Sequence, residues 1–242
     1  HLQRTGEPHL FLDGTGLGAE VWHSHFPTIR QMCREHGIDP MTDPIPVQPG
    51  AHYLCGGVAA DLTGRTSVPG LYAVGEVAGT GLHGANRLAS NSVPEALVMG
   101  DRLGRWLRDL PPLEPGLPVP RRAVELTDPA ALPRINEIMD TRVGVLREAD
   151  GLDAAVGALA DLPGTTALDD AALDATAVHT TALLVAHAAR ERTESRGAHR
   201  RADHPQASPV WEAHLSLRAG PGGLRVSREP LGEFSAAAVS AV

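Results

Sequence analysis

The stretch with the most chemistry in it runs from Gly75 to Glu95 and reads GEVAGTGLHGANRLASNSVPE. It holds an acid, Glu76, and two side chains able to hold an anion, His83 and Arg87. Gly79, Gly81 and Gly84 let a backbone come close to a flat ligand. They also spell G-x-G-x-x-G, the dinucleotide fingerprint. The context opposes that reading. The next helix opens near Ser92 rather than on the third glycine, and no acid follows at the distance where a ribose would be bound. The run Gly14, Gly16 and Gly18 has even less support. A different arrangement fits. A buried strand, Leu71–Val74, entered by a Pro69-Gly70 turn, delivers Gly75 and Glu76 to the end of a sheet, where ligands bind in open α/β folds. The loop ends on a helix N-terminus with an S-x-x-E capping box, Ser92 and Glu95.

A helix N-terminus favours negative charge. Reduced flavin develops such charge at one edge of its ring, so this terminus suits it. A second segment, Ala51–Val58, reads AHYLCGGV and sets His52 between an extended stretch (Pro44, Pro46, Pro49) and a Gly-Gly turn. Taken alone, His52 and Arg87 each read better as structural or solvated residues. Lying beside glycine turns, both gain as anion binders. Other chemistries have less support. His23-x-His25 and the pair His199 and His204 lack cysteine or carboxylate companions at zinc spacing, so no metal is expected. There is no G-x-S-x-G elbow for a serine hydrolase. The chain has no lysine, which excludes Schiff-base chemistry. Arg196, His199 and Arg200 follow a helix end, where cations offset the dipole.

Three regions position these residues. Residues 1–43 carry a helix from about Phe26 to His36, stopped by Gly37. Residues 44–112 hold the glycine-rich loop and a helix from about Val93 to Leu110. Its apolar face is Val93, Leu97, Gly100, Leu103, Gly104 and Leu107, and Pro111-Pro112 stops it. Residues 113–120 read as a Pro-rich linker. Residues 121–205 read as all-helical. One helix follows Asp128-Pro129 with Leu132, Ile135, Ile138 and Leu146 inward. A short piece covers 152–162, and an Ala-rich helix runs from about Asp169 to Glu194, ended by Gly197. Periodicity is lost beyond Trp211, and residues 219–242 form an irregular tail.

The net charge of −8 argues against nucleic acid as a partner. Cys33 and Cys55 are too few for a disulfide framework. No run is apolar enough to span a bilayer and no signal peptide is seen, so a cytoplasmic protein with no membrane partner is the expectation.

HYLCGGV, DLTGRTSVPGLYAVGEVAGTGLHGANRLASNS and TESRGAHRRADHP together resemble the succinate dehydrogenase/fumarate reductase flavoprotein superfamily. The Thr-Gly-Leu and Ser-Asn-Ser forms, with FPTIRQMC and PIPVQPGAHY, resemble its L-aspartate oxidases. The resemblance covers roughly residues 8–205. It implies an α/β fold: the end of a capping domain (1–43) and the C-terminal portion of an FAD-binding Rossmann-like domain (44–112), followed by an all-α helical bundle domain with an irregular tail (113–242). It implies FAD as cofactor, with Gly75, Glu76, Asn91, Ser92 and Val93 at the cofactor. Glu76 would take ribityl or ribose hydroxyls, and the Ser92 and Val93 N–H groups would face the ring. His52, Arg87 and His83 would bind the carboxylates of L-aspartate or fumarate, with Asn86 a weaker candidate. The reaction implied is hydride transfer from the aspartate Cα to the flavin, giving iminoaspartate for quinolinate and NAD synthesis, with a functional link to quinolinate synthase. The alternatives are a fumarate reductase or succinate dehydrogenase flavoprotein, and a non-catalytic helical interaction module. The chain departs from the family pattern at Ser92-Val93-Pro94-Glu95, where Ser-Leu-Leu-Glu is common. The family's ADP-binding glycine motif and its proton-transfer Arg have no counterpart here and would lie upstream of His1. No catalytic residue is therefore assigned, and the chain alone is expected to lack oxidase activity.

Overall fold

The computed structural model describes residues 1–110, 125–220 and 223–231. The Pro111-Pro112 stop, the 113–120 linker and the tail beyond 231 lie outside them. The chain divides into two compact units, residues 1–50 and 51–242.

The first unit begins with α1, Leu2–Thr5, and β1, Leu10–Leu12. β1 pairs antiparallel with β2, Ile45–Val47, setting Leu10 opposite Val47. Between them lie α2, Ala19–Ser24, and α3, Pro27–Glu35. Trp22 is the buried anchor. Its indole N–H donates to the Gly14 carbonyl at 3.0 Å, its ring leaves no room for a side chain on Gly14, and Phe26 packs 5.5 Å away. α3 opens on Pro27, whose missing N–H costs nothing in the first turn. It closes at Gly37, in the left-handed region at φ 78°, with the Ile38 N–H returning to the Cys33 carbonyl. The sequence places this helix and its stop correctly.

The second unit opens on β3, Val58–Ala59, paired parallel with β4, Ala78–Gly79. The expected strand at Leu71–Val74 does not form. Only Tyr72 makes a bridge, to Arg65, and the Ala73 N–H donates to the Gly64 carbonyl at 2.8 Å. The segment is one arm of an irregular hairpin against residues 64–66. Ala73 alone is buried, and Leu71 is exposed. The sheet ladder begins instead at β4, after a single 3-10 turn at Gly75–Val77. α4 follows at Ser92–Arg108. Trp106 on α4 lies against Tyr72 at 5.3 Å, with the Arg65 guanidinium 4.7 Å from the indole ring.

The helical part holds the larger core. β5, Leu126–Thr127, and β6, Gly164–Thr165, form a two-residue antiparallel ladder around it. The helices are α5, Leu132–Arg142, α6, Ala149–Ala160, and α7, Asp170–Glu191. Asp128 and Asp169 each accept an N–H two or three residues on, from Ala130 at 2.9 Å and Ala172 at 2.8 Å. Ile135, Ile138, Leu152 and Leu159 fill the interior against Ala182, Ala186 and Ala189 of α7. Alanine on that face lets the backbones approach closely enough to enclose the branched side chains. Leu152 is completely buried, so Leu152→Ala is expected to cost about 3 kcal/mol, read as a lower urea midpoint with an unchanged slope.

Three expectations need correction in this part. Leu146 falls after α5 and is exposed, because α5 ends at Arg142. Gly197 does not end α7. That helix stops at Glu191, and Arg201 caps it by donating to the carbonyls of Ala189, Arg190 and Arg192. Nor is the C-terminal part all helix. β7, Ala213–Gly220, and β8, Gly223–Pro230, make an eight-residue antiparallel hairpin where no periodic signal was expected. Trp211, just before it, is buried between the Arg192 and Arg228 guanidinium groups, 5.5 and 4.7 Å from its ring.

Candidate functional site

The β3–β4 ladder delivers the chain into the loop 80–91, which runs without helix or strand to α4. Gly57 and Gly79 permit this ladder. A side chain on Gly57 would collide with the Val77 carbonyl, and one on Gly79 would press on the Gly57 backbone. The far side of the loop is tied down from the C-terminal part. The Ala198 N–H donates to the Ala85 carbonyl at 3.0 Å, and Gly197 leaves that carbonyl the space it needs. His214 of β7 packs over Gly81, which sits at φ 81°. Ser90, at φ 65°, is the one non-glycine residue in the left-handed region among the described residues, immediately before α4.

The structure brings His52 and Arg87 together across 35 positions of sequence. Arg87 Nη2 donates to His52 Nε2 at 2.8 Å, which places the His52 hydrogen on Nδ1. The Arg87 guanidinium lies over the Tyr53 ring at 4.5 Å. That ring meets His83 edge-on at 5.2 Å. His83 Nε2 donates to Glu95 Oε2 at 2.7 Å, and the other carboxylate oxygen accepts from Thr80 Oγ1 at 2.6 Å. The His83 and Glu95 side chains are 8% and 3% exposed, so this pair sits inside the fold. Burial first, then the Glu95 and Glu76 carboxylates, push the Tyr53 phenol above its ordinary range. Among the described residues three buried side-chain nitrogens have no partner, Arg30 Nε in the first unit and, in this cluster, His83 Nδ1 and Arg87 Nε. Unpaired buried polar atoms are rare, and two of the three lie on residues that flank Tyr53.

Sequence reasoning missed Tyr53, Thr80 and the role of Glu95. No S-x-x-E capping box forms. Asn91 occupies the N-cap position without a side-chain bond, Ser92 is the first helical residue, and Glu95 turns inward. The buried positions of α4 are Glu95 and Met99. Val93, Leu97 and Leu107, expected to face a core, are exposed, because α4 leans on the Gly75–Val77 turn with another face. The other candidates cluster at the same end. Gly75 takes φ 74° and is half-buried, while Glu76 is exposed on the 3-10 turn. The Val93 N–H donates to the Ser90 carbonyl at 3.2 Å, and Pro94 has none to offer. Asn86 is exposed on the loop. No cluster of three metal-ligating side chains occurs among the described residues. A groove of about 400 Å³ between α5 and α7, lined by Ile135, Met139, Val178 and Val185 among others, has no charged side chain and suits no acid–base chemistry.

A cation backed by an aromatic ring, beside a buried His–Glu pair and a glycine-rich approach to a helix N-terminus, is suited to holding a carboxylate against a flat ring. Comparison with known proteins points the same way. The FAD binding domain model matches residues 1–93, and the fumarate reductase flavoprotein C-terminal model matches residues 133–231. An E. coli quinol fumarate reductase chain aligns with 95% of this chain and 46% of its own length, at a TM-score of 0.72 and 26% identity. Mycobacterium smegmatis Sdh1 aligns with 97% of this chain and 46% of its own, also at 0.72 and 26%. These matches define the class as the succinate dehydrogenase/fumarate reductase flavoproteins. Nearer in sequence are L-aspartate oxidases. The Rhodospirillum rubrum protein is 44% identical over 87% of this chain and 76% of its own length. The Streptomyces coelicolor protein is 40% identical over 91% of this chain. The chain belongs to the L-aspartate oxidase family. It spans 42% of the S. coelicolor relative's length and 43% of the Caulobacter vibrioides relative's. Among the described residues, no helix is long and apolar enough to cross a membrane.

Proposed function

We propose that this chain supplies the dicarboxylate-binding part of an FAD-dependent oxidase that converts L-aspartate to iminoaspartate. The observation that carries this reading is the Arg87–His52 contact at 2.8 Å, with the guanidinium stacked on Tyr53 and its Nε–H still unpaired. A planar guanidinium with spare donors matches a carboxylate in pairs. The substrate carboxylates are taken by Arg87 and His52, the Tyr53 ring keeps the guanidinium from swinging away, and His83, whose Nε2–H is committed to Glu95, supports the ring rather than the substrate.

The residues at the α4 N-terminus fit FAD. Gly75 adopts a left-handed backbone next to α4, and Leu88 and Val93, exposed on either side of the helix start, offer an apolar surface to a flat ring. Glu76 is free to accept from ribityl or ribose hydroxyls, Asn91 lies at the N-cap, and the Ser92 N–H stands at the positive end of the helix dipole. Bound there, FAD supplies the hydride-accepting chemistry, with oxygen or fumarate taking up the electrons. Residues 1–43 are then the end of a capping domain, 44–112 the C-terminal part of the flavin domain, and 113–242 a helical domain extended by the β7–β8 hairpin. The product leaves for an enzyme that condenses an imino-dicarboxylate, as quinolinate synthase does, in a soluble cytoplasmic setting.

The test is direct. Expressed from its full open reading frame and loaded with FAD, the protein is expected to release peroxide with L-aspartate and to bind succinate without oxidising it in air. Turnover of succinate with no response to L-aspartate would replace this reading with the dehydrogenase one. No saturable response to either would sink both.

A further inference from the structure

The site reading uses Arg87, His52 and Tyr53 but leaves the innermost part of the cluster without a task. Glu95 is a carboxylate with its side chain 3% exposed. It does not cap α4, and among the described residues it forms no ion pair with an arginine. Its two oxygens are taken by Thr80, at the start of the glycine loop, and by His83, in the middle of that loop. A buried carboxylate is costly unless its partners are fixed. This one therefore holds both ends of the segment 80–83 to the first turn of α4. Rigid packing carries that constraint outward. His83 meets the Tyr53 ring edge-on with an interplanar angle of 90°, and Arg87 lies on the same ring. Because the carboxylate accepts from Nε2, the His83 hydrogen is fixed on that nitrogen, and Nδ1 is left as an unpaired acceptor beside Tyr53.

We propose that Glu95 is a positioning residue for the carboxylate pocket: through His83 and the Tyr53 ring it sets the place of the Arg87 guanidinium against His52, with Thr80 as the second tether. This rests on the dicarboxylate reading of Arg87, but the geometry it describes exists without ligand, so the two can be tested apart. Among the described residues Glu95 makes no hydrogen bond or ion pair with His52 or Arg87; its bonds go to Thr80 and His83. A change at His52 caused by altering Glu95 therefore reports transmission rather than local contact.

The experiment uses the protein expressed from its full reading frame, with histidine ring nitrogens observed by 15N NMR at fixed pH and succinate as the probe ligand. Glu95→Gln keeps the shape and removes the charge. It is expected to move the His83 ring signals, to move the His52 ring signals as well, and to raise the succinate Kd about tenfold, with the melting temperature used to confirm folding. Thr80→Val loosens one tether only and is expected to shift the same signals less and to raise Kd about threefold. It serves as the deciding variant if Glu95→Gln does not fold. Unmoved His52 signals in both variants would overturn the proposal, whatever happens to affinity. So would a succinate Kd within twofold of the wild type. If the unaltered protein does not bind succinate, the carboxylate reading of Arg87 fails, and the His52 response alone then decides whether Glu95 positions Arg87.

Discussion

Arg87→Gln is expected to weaken succinate binding by two to three orders of magnitude while leaving the melting temperature within about 2 °C. The affinity loss corresponds to about 3–4 kcal/mol. That is the scale for removing a charged, paired donor when the partner charge has no substitute. Stability should change little, because the guanidinium makes no ion pair with an acid among the described residues and its stacking partner Tyr53 remains packed on His83. Arg87→Lys restores charge without the planar fork, so it should recover only part of the loss. Isothermal titration of the three proteins with succinate checks the order. Equal affinities would show that Arg87 lies outside the ligand's reach.

Glu194→Gln carries the largest expected cost to stability, about 3 kcal/mol, because it removes the buried carboxylate at the centre of an ionic network whose arginines are partly exposed. Glu194 accepts from Arg192 Nη1 at 2.8 Å, from Arg196 Nε at 2.8 Å and Nη2 at 3.0 Å, and from the Ser208 N–H at 2.8 Å. Burial works to raise its pKa, but these bonds win and hold it at about 2. Lowered carboxylates contribute stability above their unfolded value and lose it on acidification. For Glu194 the loss falls between about 4.5 and 2. His199 adds a window above it. Burial first, then the Arg147, Arg192 and Arg201 charges, press its pKa down to about 4. Its Nδ1 accepts from Arg147 Nη1 at 2.9 Å while its Nε2–H donates to the Arg192 carbonyl at 3.0 Å, an arrangement only the neutral ring can make. The unfolded chain takes up this proton first, so stability falls as the pH drops from 6.5 toward 4. Urea midpoints across pH 7 to 3 should decline in both windows for the wild type. His199→Gln should flatten the upper one. A midpoint independent of pH above 4.5 would refute the role given to His199.

The parts of this protein that were legible in its sequence obey local rules. α3, α5, α6 and α7 follow helical periodicity, and α3 also ends at a recognisable stop, Gly37. The long motifs around residues 52–58 and 75–95 are specific enough to show the family before any coordinates. What escaped was decided by contacts distant in sequence. Glu95 fits a capping box by spacing, yet its partner His83 lies in a loop with no periodicity to read, and a desolvated carboxylate outweighs one helix cap. Gly197 fits a helix stop, but it is glycine because the Ala85 carbonyl occupies the place of its side chain. The Leu71–Val74 segment has strand composition, but its ladder partner among the described residues is only a short hairpin arm. The β7–β8 hairpin did leave a signal. Leu215 and Leu217 alternate on one arm, Leu224 and Val226 on the other, with a Gly-Pro-Gly-Gly run between them. The arginines and glycines of those arms obscured it.

The three tryptophans are distributed so that each reports on a different part of the molecule. Trp22 belongs to the first unit, Trp106 to the C-terminal end of α4 against Tyr72 and Arg65, and Trp211 to the ionic network that follows α7. With two tyrosines in the whole chain, emission on excitation near the red edge of the indole band comes from these three alone. Their surroundings also differ: Trp22 meets a phenyl ring and a glycine carbonyl, Trp106 one guanidinium, and Trp211 two. Pairwise Trp→Phe replacement therefore turns ordinary fluorescence into three separate optical channels. Opening of the α4–hairpin contact at Tyr72, acid opening around Glu194 and melting of the first unit could each be followed in the same cuvette without an attached dye.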